Sequence, residues 1–209
     1  MNQAASSTST RVPRLVQPGV LVIDAQSGFL DSMHGNAEPV LLRLENLLIM
    51  ADCLRLPILA TFEAPEASGW LPARLQSRWP EHGVRLVKET FDCCGQPEAV
   101  AALQGMGRHQ LLVAGAQTDV CVLQSVLSLL DRGYEVFLLE DCLASSEPHT
   151  LTAVRRMWQA GAVPCTLKTA YYELKRVVGV PAAPAHSGWE RLTQLIGSPE
   201  EWPAWQPAT

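Results

Sequence analysis

Six short apolar runs recur along the chain, each of strand length, and between them lie stretches whose apolar residues repeat at helical spacing. In order they read "GVLVIDA" from Gly19, "LPILATF" from Leu56, "VRLVKE" from Val84, "HQLLVAGA" from His109, "YEVFLLED" from Tyr134 and "AVPCTL" from Ala162. The first lacks the in-and-out alternation of a half-exposed strand, as a strand buried on both faces does. Strands separated by helices imply right-handed crossovers and a parallel sheet covered on each side. The predicted fold is therefore α/β: a three-layer α/β/α sandwich around a mostly parallel, Rossmann-like sheet of six strands.

The intervening segments support this. Residues 36–54 carry Val40, Leu41, Leu44, Leu47 and Leu48 on one helical face, and "QPEAVAALQGMG" opens with Pro97 near a first turn and closes on glycine. Further helices are predicted over 119–131 and across "EPHTLTAVRRMWQAG". Residues 63–83 instead contain Pro65, Pro72 and Pro80, and read as a long excursion of the kind that often carries function.

Three regions follow: a flexible N-terminal segment over 1–18, one domain over 19–179, and a C-terminal extension over 180–209. The extension is rich in proline and tryptophan, with a helix expected near Trp189 to Ile196. It is expected to pack on the domain or on a neighbouring subunit.

The 209 residues suffice for one core without disulfide or metal support. A net charge of −5, with no long single-sign run, offers no footing for nucleic acid or an anionic membrane. No apolar run is long enough to span a bilayer, and "MNQAASSTST" lacks the pattern of a secretory signal, so a cytoplasmic protein is expected. The six cysteines form no CxxC pair, which favours reduced thiols. Adjacent Cys93 and Cys94 are read as packing residues.

In parallel sheets ligands bind beyond the carboxyl ends of the strands. Asp24 ends the first run, Lys88 ends the third, and Cys121 follows the fourth at the start of a helix. A carboxylate, an ammonium and a thiol on one rim form a coherent set. The helix start and the cation would favour thiolate, and the carboxylate could take its proton.

The segments around these residues are "VIDAQSGFL", "VKETFD" and "GAQTDVCV", supported by "LLEDCLAS" and "MWQAGAVPCT". Together, from about Gly19 to about Leu174, they resemble the isochorismatase-like cysteine hydrolases, which include nicotinamidases. The resemblance implies an Asp24, Lys88, Cys121 triad. Cys121 would attack a carbonyl carbon, Asp24 would shuttle its proton, and Lys88 would stabilise the charged members. It also implies a non-proline cis peptide between Ala116 and Gln117, with an oxyanion hole from the backbone amides of Val120 and Cys121. The expected pocket lining is Gln26, Phe29, Phe62, Phe91 and Thr118.

Two departures narrow the reading. Nicotinamidase-type members carry a metal-binding DxH after the second strand, where this chain has Glu63 and Pro65; the excursion adds only His82, too few ligands for a metal site. No metal and no cofactor are expected, and nicotinamide becomes a poor substrate candidate. Cys94 also stands where the family often has phenylalanine, so the pocket lining has changed. The expected activity is hydrolysis of a small amide or related C–N bond by a homo-oligomer. Vinyl ether hydrolysis of the isochorismatase type and a non-catalytic binding or assembly protein stand as alternatives. A dinucleotide oxidoreductase would want GxGxxG after the first strand, which is absent.

Overall fold

The computed structural model describes residues 13–175. In chain order the elements are β1 (Pro18–Ile23), α1 (Ser27–Asp31), α2 (Ala37–Cys53), β2 (Ile58–Glu63), two single-turn helices α3 (Pro65–Ser68) and α4 (Ala73–Gln76), and β3 (Val84–Lys88). A short 3₁₀ turn at Cys93–Gly95 leads to α5 (Pro97–Gly105) and β4 (Gln110–Ala116). A wide π-type turn, Thr118–Val122, then runs into α6 (Leu123–Asp131), followed by β5 (Glu135–Ala144), α7 (Leu151–Ala160), β6 (Val163–Cys165) and α8 (Leu167–Lys175).

The sheet runs β3-β2-β1-β4-β5-β6, and every pairing is parallel. Alternation along the strands divides the core into two layers. Val20 and Val22 of β1 join Leu44 and Leu47 of α2 and Tyr171 of α8 on one face. Leu21 and Ile23 meet Leu103 of α5, Val126 of α6 and Met157 of α7 on the other. This is the three-layer sandwich predicted from the sequence.

Several local expectations are corrected. Pro18 already pairs with Gln110, so the first strand begins inside the segment read as flexible. Leu15 before it is buried, and its amide donates to the Glu173 carboxylate at 2.9 Å. The excursion contains α3 and α4, the first starting at Pro65, where a missing amide costs nothing. Helix α8 was not anticipated; Asp141 accepts the Leu167 amide at 2.9 Å at its first turn. Residues 1–12 and the expected tail helix, with Trp189, Trp202 and Trp205, lie outside the described residues.

Strand order locates the crevice. The chain steps from β1 to β2 and β3 on one side, then returns to β4 and moves through β5 and β6 on the other. The carboxyl ends of β1 and β4 flank this switch, where parallel sheets leave room for a ligand. Asp24 follows β1, and the turn holding Cys121 follows β4.

Candidate active site

Asp24, Lys88 and Cys121, nearly a hundred residues apart at their extremes, meet at this crevice. Register explains the first two: Ile23 pairs with Thr61, and Glu63 pairs with Lys88, so the ends of β1, β2 and β3 lie side by side. The Lys88 ammonium lies 2.6 Å from Asp24 Oδ2, a charge contact rather than an aligned hydrogen bond, and donates to the Thr90 carbonyl at 2.9 Å. Thr61 Oγ1 donates to Asp24 Oδ1 at 2.8 Å. Both charged side chains are fully buried. Burial pushes the Asp24 carboxyl up from its ordinary value, and the Lys88 charge opposes that shift.

A fourth group, overlooked as a site residue in the sequence, completes the cluster. Glu63 Oε2 accepts the Cys121 thiol at 3.1 Å and lies 3.9 Å from Lys88 Nζ. Asp24, Glu63 and Cys121 offer ligand-type atoms within 4.8 Å of one another. The signal was present in "TFEAP": a carboxylate at the end of the strand beside β1, in register with Lys88.

The thiol state corrects an expectation. Burial raises the Cys121 thiol well above its usual value, the Asp24 charge and the bond to Glu63 raise it further, and Lys88 opposes them without prevailing. The helix start does not rescue the thiolate, because Cys121 sits inside a wide turn ahead of α6. At rest the sulfur is a protonated donor to Glu63.

The supporting shell is equally specific. Gln26 is fully buried and spends its amide on backbone: Oε1 accepts Glu63 N–H at 2.7 Å, while Nε2 donates to the carbonyls of Glu63 at 3.0 Å and Gly69 at 2.6 Å. It pins the segment that carries Glu63. Thr118 is buried and donates to the Ala144 carbonyl at 2.9 Å. Phe62 is buried with its ring 5.0 Å from that of Trp70, Phe29 packs partly buried on the same core, and Phe91 is half-exposed.

The peptide between Ala116 and Gln117 is cis. The turn after it is tied to the β5 end: Ser145 Oγ lies 2.8 Å from Gln117 Oε1 and 2.6 Å from Asp119 Oδ1, holding its single proton between them. Ser146 N–H donates to the same Gln117 oxygen at 2.8 Å. The Val120 amide donates to the Gln117 carbonyl at 3.1 Å, so it is spent within the turn rather than free for an oxyanion. Asp24 and Ala64, flanking the cluster, hold positive φ values of 45° and 40°, a conformation that costs a non-glycine residue about 1–2 kcal/mol.

The fold agrees with comparison against known proteins. The isochorismatase domain description matches residues 18–169, most of the chain. The chain belongs to the isochorismatase family of hydrolases. Isochorismatase domain-containing protein 2A of Mus musculus is 35% identical over 157 residues, covering 73% of this chain and 70% of its own. The YcaC gene product of Escherichia coli, described as an octameric hydrolase of unknown specificity, superposes with a TM-score of 0.81 at 26% identity, over 90% of this chain and 92% of its own. YcaC from Pseudomonas aeruginosa, solved with hexane-2,5-diol and covalent acrylamide, gives a TM-score of 0.81 at 25% identity, over 90% of this chain and 93% of its own.

The metal of nicotinamidase-type members does not fit these residues. Pro65 offers no ligand atom, and His82 bonds the Leu56 carbonyl at 2.9 Å, at the opposite end of β2 from Glu63. The Lys88 ammonium already lies within 4 Å of both carboxylates of the Asp24, Glu63 and Cys121 cluster. A divalent cation there would face that charge at close range.

Proposed function

We propose that this chain is a cysteine hydrolase that cleaves a small amide or a related C–N bond, with Cys121 as nucleophile and Asp24 and Lys88 as its partners. The observation that carries the reading is the convergence of a thiol, an ammonium and two carboxylates at the strand switch. Because the thiol is protonated at rest, a carboxylate must receive its proton as sulfur attacks, which is general-base catalysis of a kind worth roughly 100 to 10,000-fold. Burial raises the Asp24 carboxyl, and Lys88 opposes that rise and offsets part of the cluster's negative charge. The resulting tetrahedral oxyanion would be met by the Cys121 amide. Collapse then gives an acyl thioester that water resolves.

The P. aeruginosa relative carries covalent acrylamide, an electrophile to which thiols add, and this supports a nucleophilic cysteine in the present chain. The octameric E. coli relative supports assembly of this chain into a homo-oligomer. We infer a cytoplasmic protein that works without metal or cofactor, in which residues 180–209 pack on the domain or on a neighbouring subunit. Incubation with a panel of primary amides should release ammonia, and Cys121→Ala should abolish release with the thermal melt preserved. Unchanged release by Cys121→Ala would refute the proposal.

A further inference from the structure

A cavity of about 510 Å³ runs between α5 and α6, inside the range of roughly 300–1,000 Å³ usual for small-molecule sites. Val100 and Leu103 supply apolar wall, while Arg108, His109 and Arg132 stand around it with no acidic residue in the lining. Arg108 Nε is buried with no hydrogen-bond partner among the described residues, and its Nη1 reaches Gln17 Oε1 at 3.4 Å. A buried donor left without an acceptor is costly, and a cationic lining supplies the charge to hold an anion.

One thiol opens onto this cavity. Cys94 is 7% exposed and forms part of the wall, whereas its neighbour Cys93 is fully buried, with its N–H donated to Ser125 Oγ at 2.9 Å. The Cys93 thiol donates to the Cys94 sulfur, and the Arg132 guanidinium adjoins that sulfur and meets the Cys94 carbonyl at 3.4 Å. The bond from Cys93 lowers the Cys94 thiol, helped by Arg132, against burial and the Asp92 charge. The other five cysteines are all raised, so Cys94 is the sulfur of this chain closest to thiolate at rest.

Asp92, Cys93 and Cys94 also stand close enough together to hold a metal ion. Both Asp92 oxygens are occupied, however, by Cys94 N–H at 2.8 Å and Ser128 Oγ at 2.5 Å, and the guanidinium beside the sulfur opposes a cation. Anion chemistry fits better.

We propose that this cavity is a second site, at which Cys94 exchanges with a small disulfide that bears carboxylates. The arginines hold the carboxylates while the Cys94 sulfur attacks one sulfur of the disulfide. The new S–S bond forms as the old one breaks, and the departing sulfur leaves with the bonding pair and takes up the proton that Cys94 gave up. Cys94–SH plus R–S–S–R becomes Cys94–S–S–R plus R–SH, with the disulfide as the oxidant. Cys93 is poorly placed to displace the adduct, because neighbouring Cα atoms stand about 3.8 Å apart across a trans peptide, short of the roughly 4.4–6.8 Å that a disulfide spans. The mixed disulfide therefore persists until an external thiol removes it. None of this depends on the hydrolase reading above.

The experiment incubates the full chain near neutral pH with oxidised glutathione, which is anionic, or with cystamine, which is cationic. Adducts are followed by peptide mass, with fragmentation to separate Cys94 from Cys93. Oxidised glutathione should modify Cys94 about tenfold faster, or more, than any other cysteine, with one glutathione retained and then released by dithiothreitol. Cys93→Ala should still take the adduct, and Cys94→Ala should not. In the double variant Arg108→Gln with Arg132→Gln, the glutathione-to-cystamine rate ratio at Cys94 should fall about tenfold, whereas an unfolded variant would label all its cysteines alike. Adducts spread evenly over the cysteines of the unaltered protein, a Cys93–Cys94 disulfide with no glutathione retained, no adduct at all, or a ratio that the arginine changes leave within twofold would each overturn the inference.

Discussion

At the scale of single residues, the site is a balance of buried charges. Removing one partner of a buried pair typically costs about 3–5 kcal/mol, because the other charge is left without compensation. Lys88→Met should therefore lower unfolding free energy by about that much, and adding Asp24→Asn should recover part of the loss, a coupling that a double-mutant cycle in denaturant would measure. Strict additivity of the two changes would contradict the pairing. The thiol gives a second test. With Cys121 raised above the ordinary cysteine value of about 8.5, the thiolate is scarce at neutral pH and grows as pH rises. Its iodoacetamide rate should climb about tenfold per pH unit from pH 7 to 9 without levelling; a plateau below pH 8 would mean an already ionised sulfur. Cys94, lowered by the hydrogen bond it receives from Cys93, is the thiol from which that rate must be resolved.

Elements hold these residues by close approach and by cross-ties. Gly115 on β4 has φ of 127°, and a Cβ there would lie 1.8 Å from the Ile23 carbonyl oxygen of β1. Gly115→Ala should destabilise the protein by about 3 kcal/mol or more, read as a lower melting midpoint. Gln26→Leu should be milder for the fold and severe for activity, because it removes three bonds that fix Glu63 and Gly69; a loss of kcat with a near-normal melt would support that division. Strand runs such as "GVLVIDA" and "HQLLVAGA" were legible because burial on both faces leaves an apolar signature of fixed length. The wide turn before α6 was not, since "TDVCVLQ" has unbroken helical spacing and only the ties to Ser145 and Ser146 reveal where the helix begins. Helix α8 also escaped, because "LKTAYYELK" directly follows a three-residue strand with no breaker between them.

For the molecule as a whole, strand order converts distant residues into neighbours. Asp24, Lys88 and Cys121 were readable as a set because each stands just beyond a strand, and parallel strands share one carboxyl rim. Glu63 stands on that same rim, but its contact with Lys88 and Cys121 depends on the β2–β3 register, which periodicity does not reveal. Its ties to Gln26 escaped for a similar reason: a polar residue beyond a strand does not announce whether it faces ligand or backbone. The central claim is that Cys121 forms the covalent intermediate. Acid quench during turnover of a primary amide, followed by intact and peptide mass, tests it most directly. One acyl adduct on the Cys121 peptide, absent from Cys121→Ala, is the predicted result; turnover with the acyl group on another residue, or with none on any residue while Cys121→Ala remains active, would contradict it.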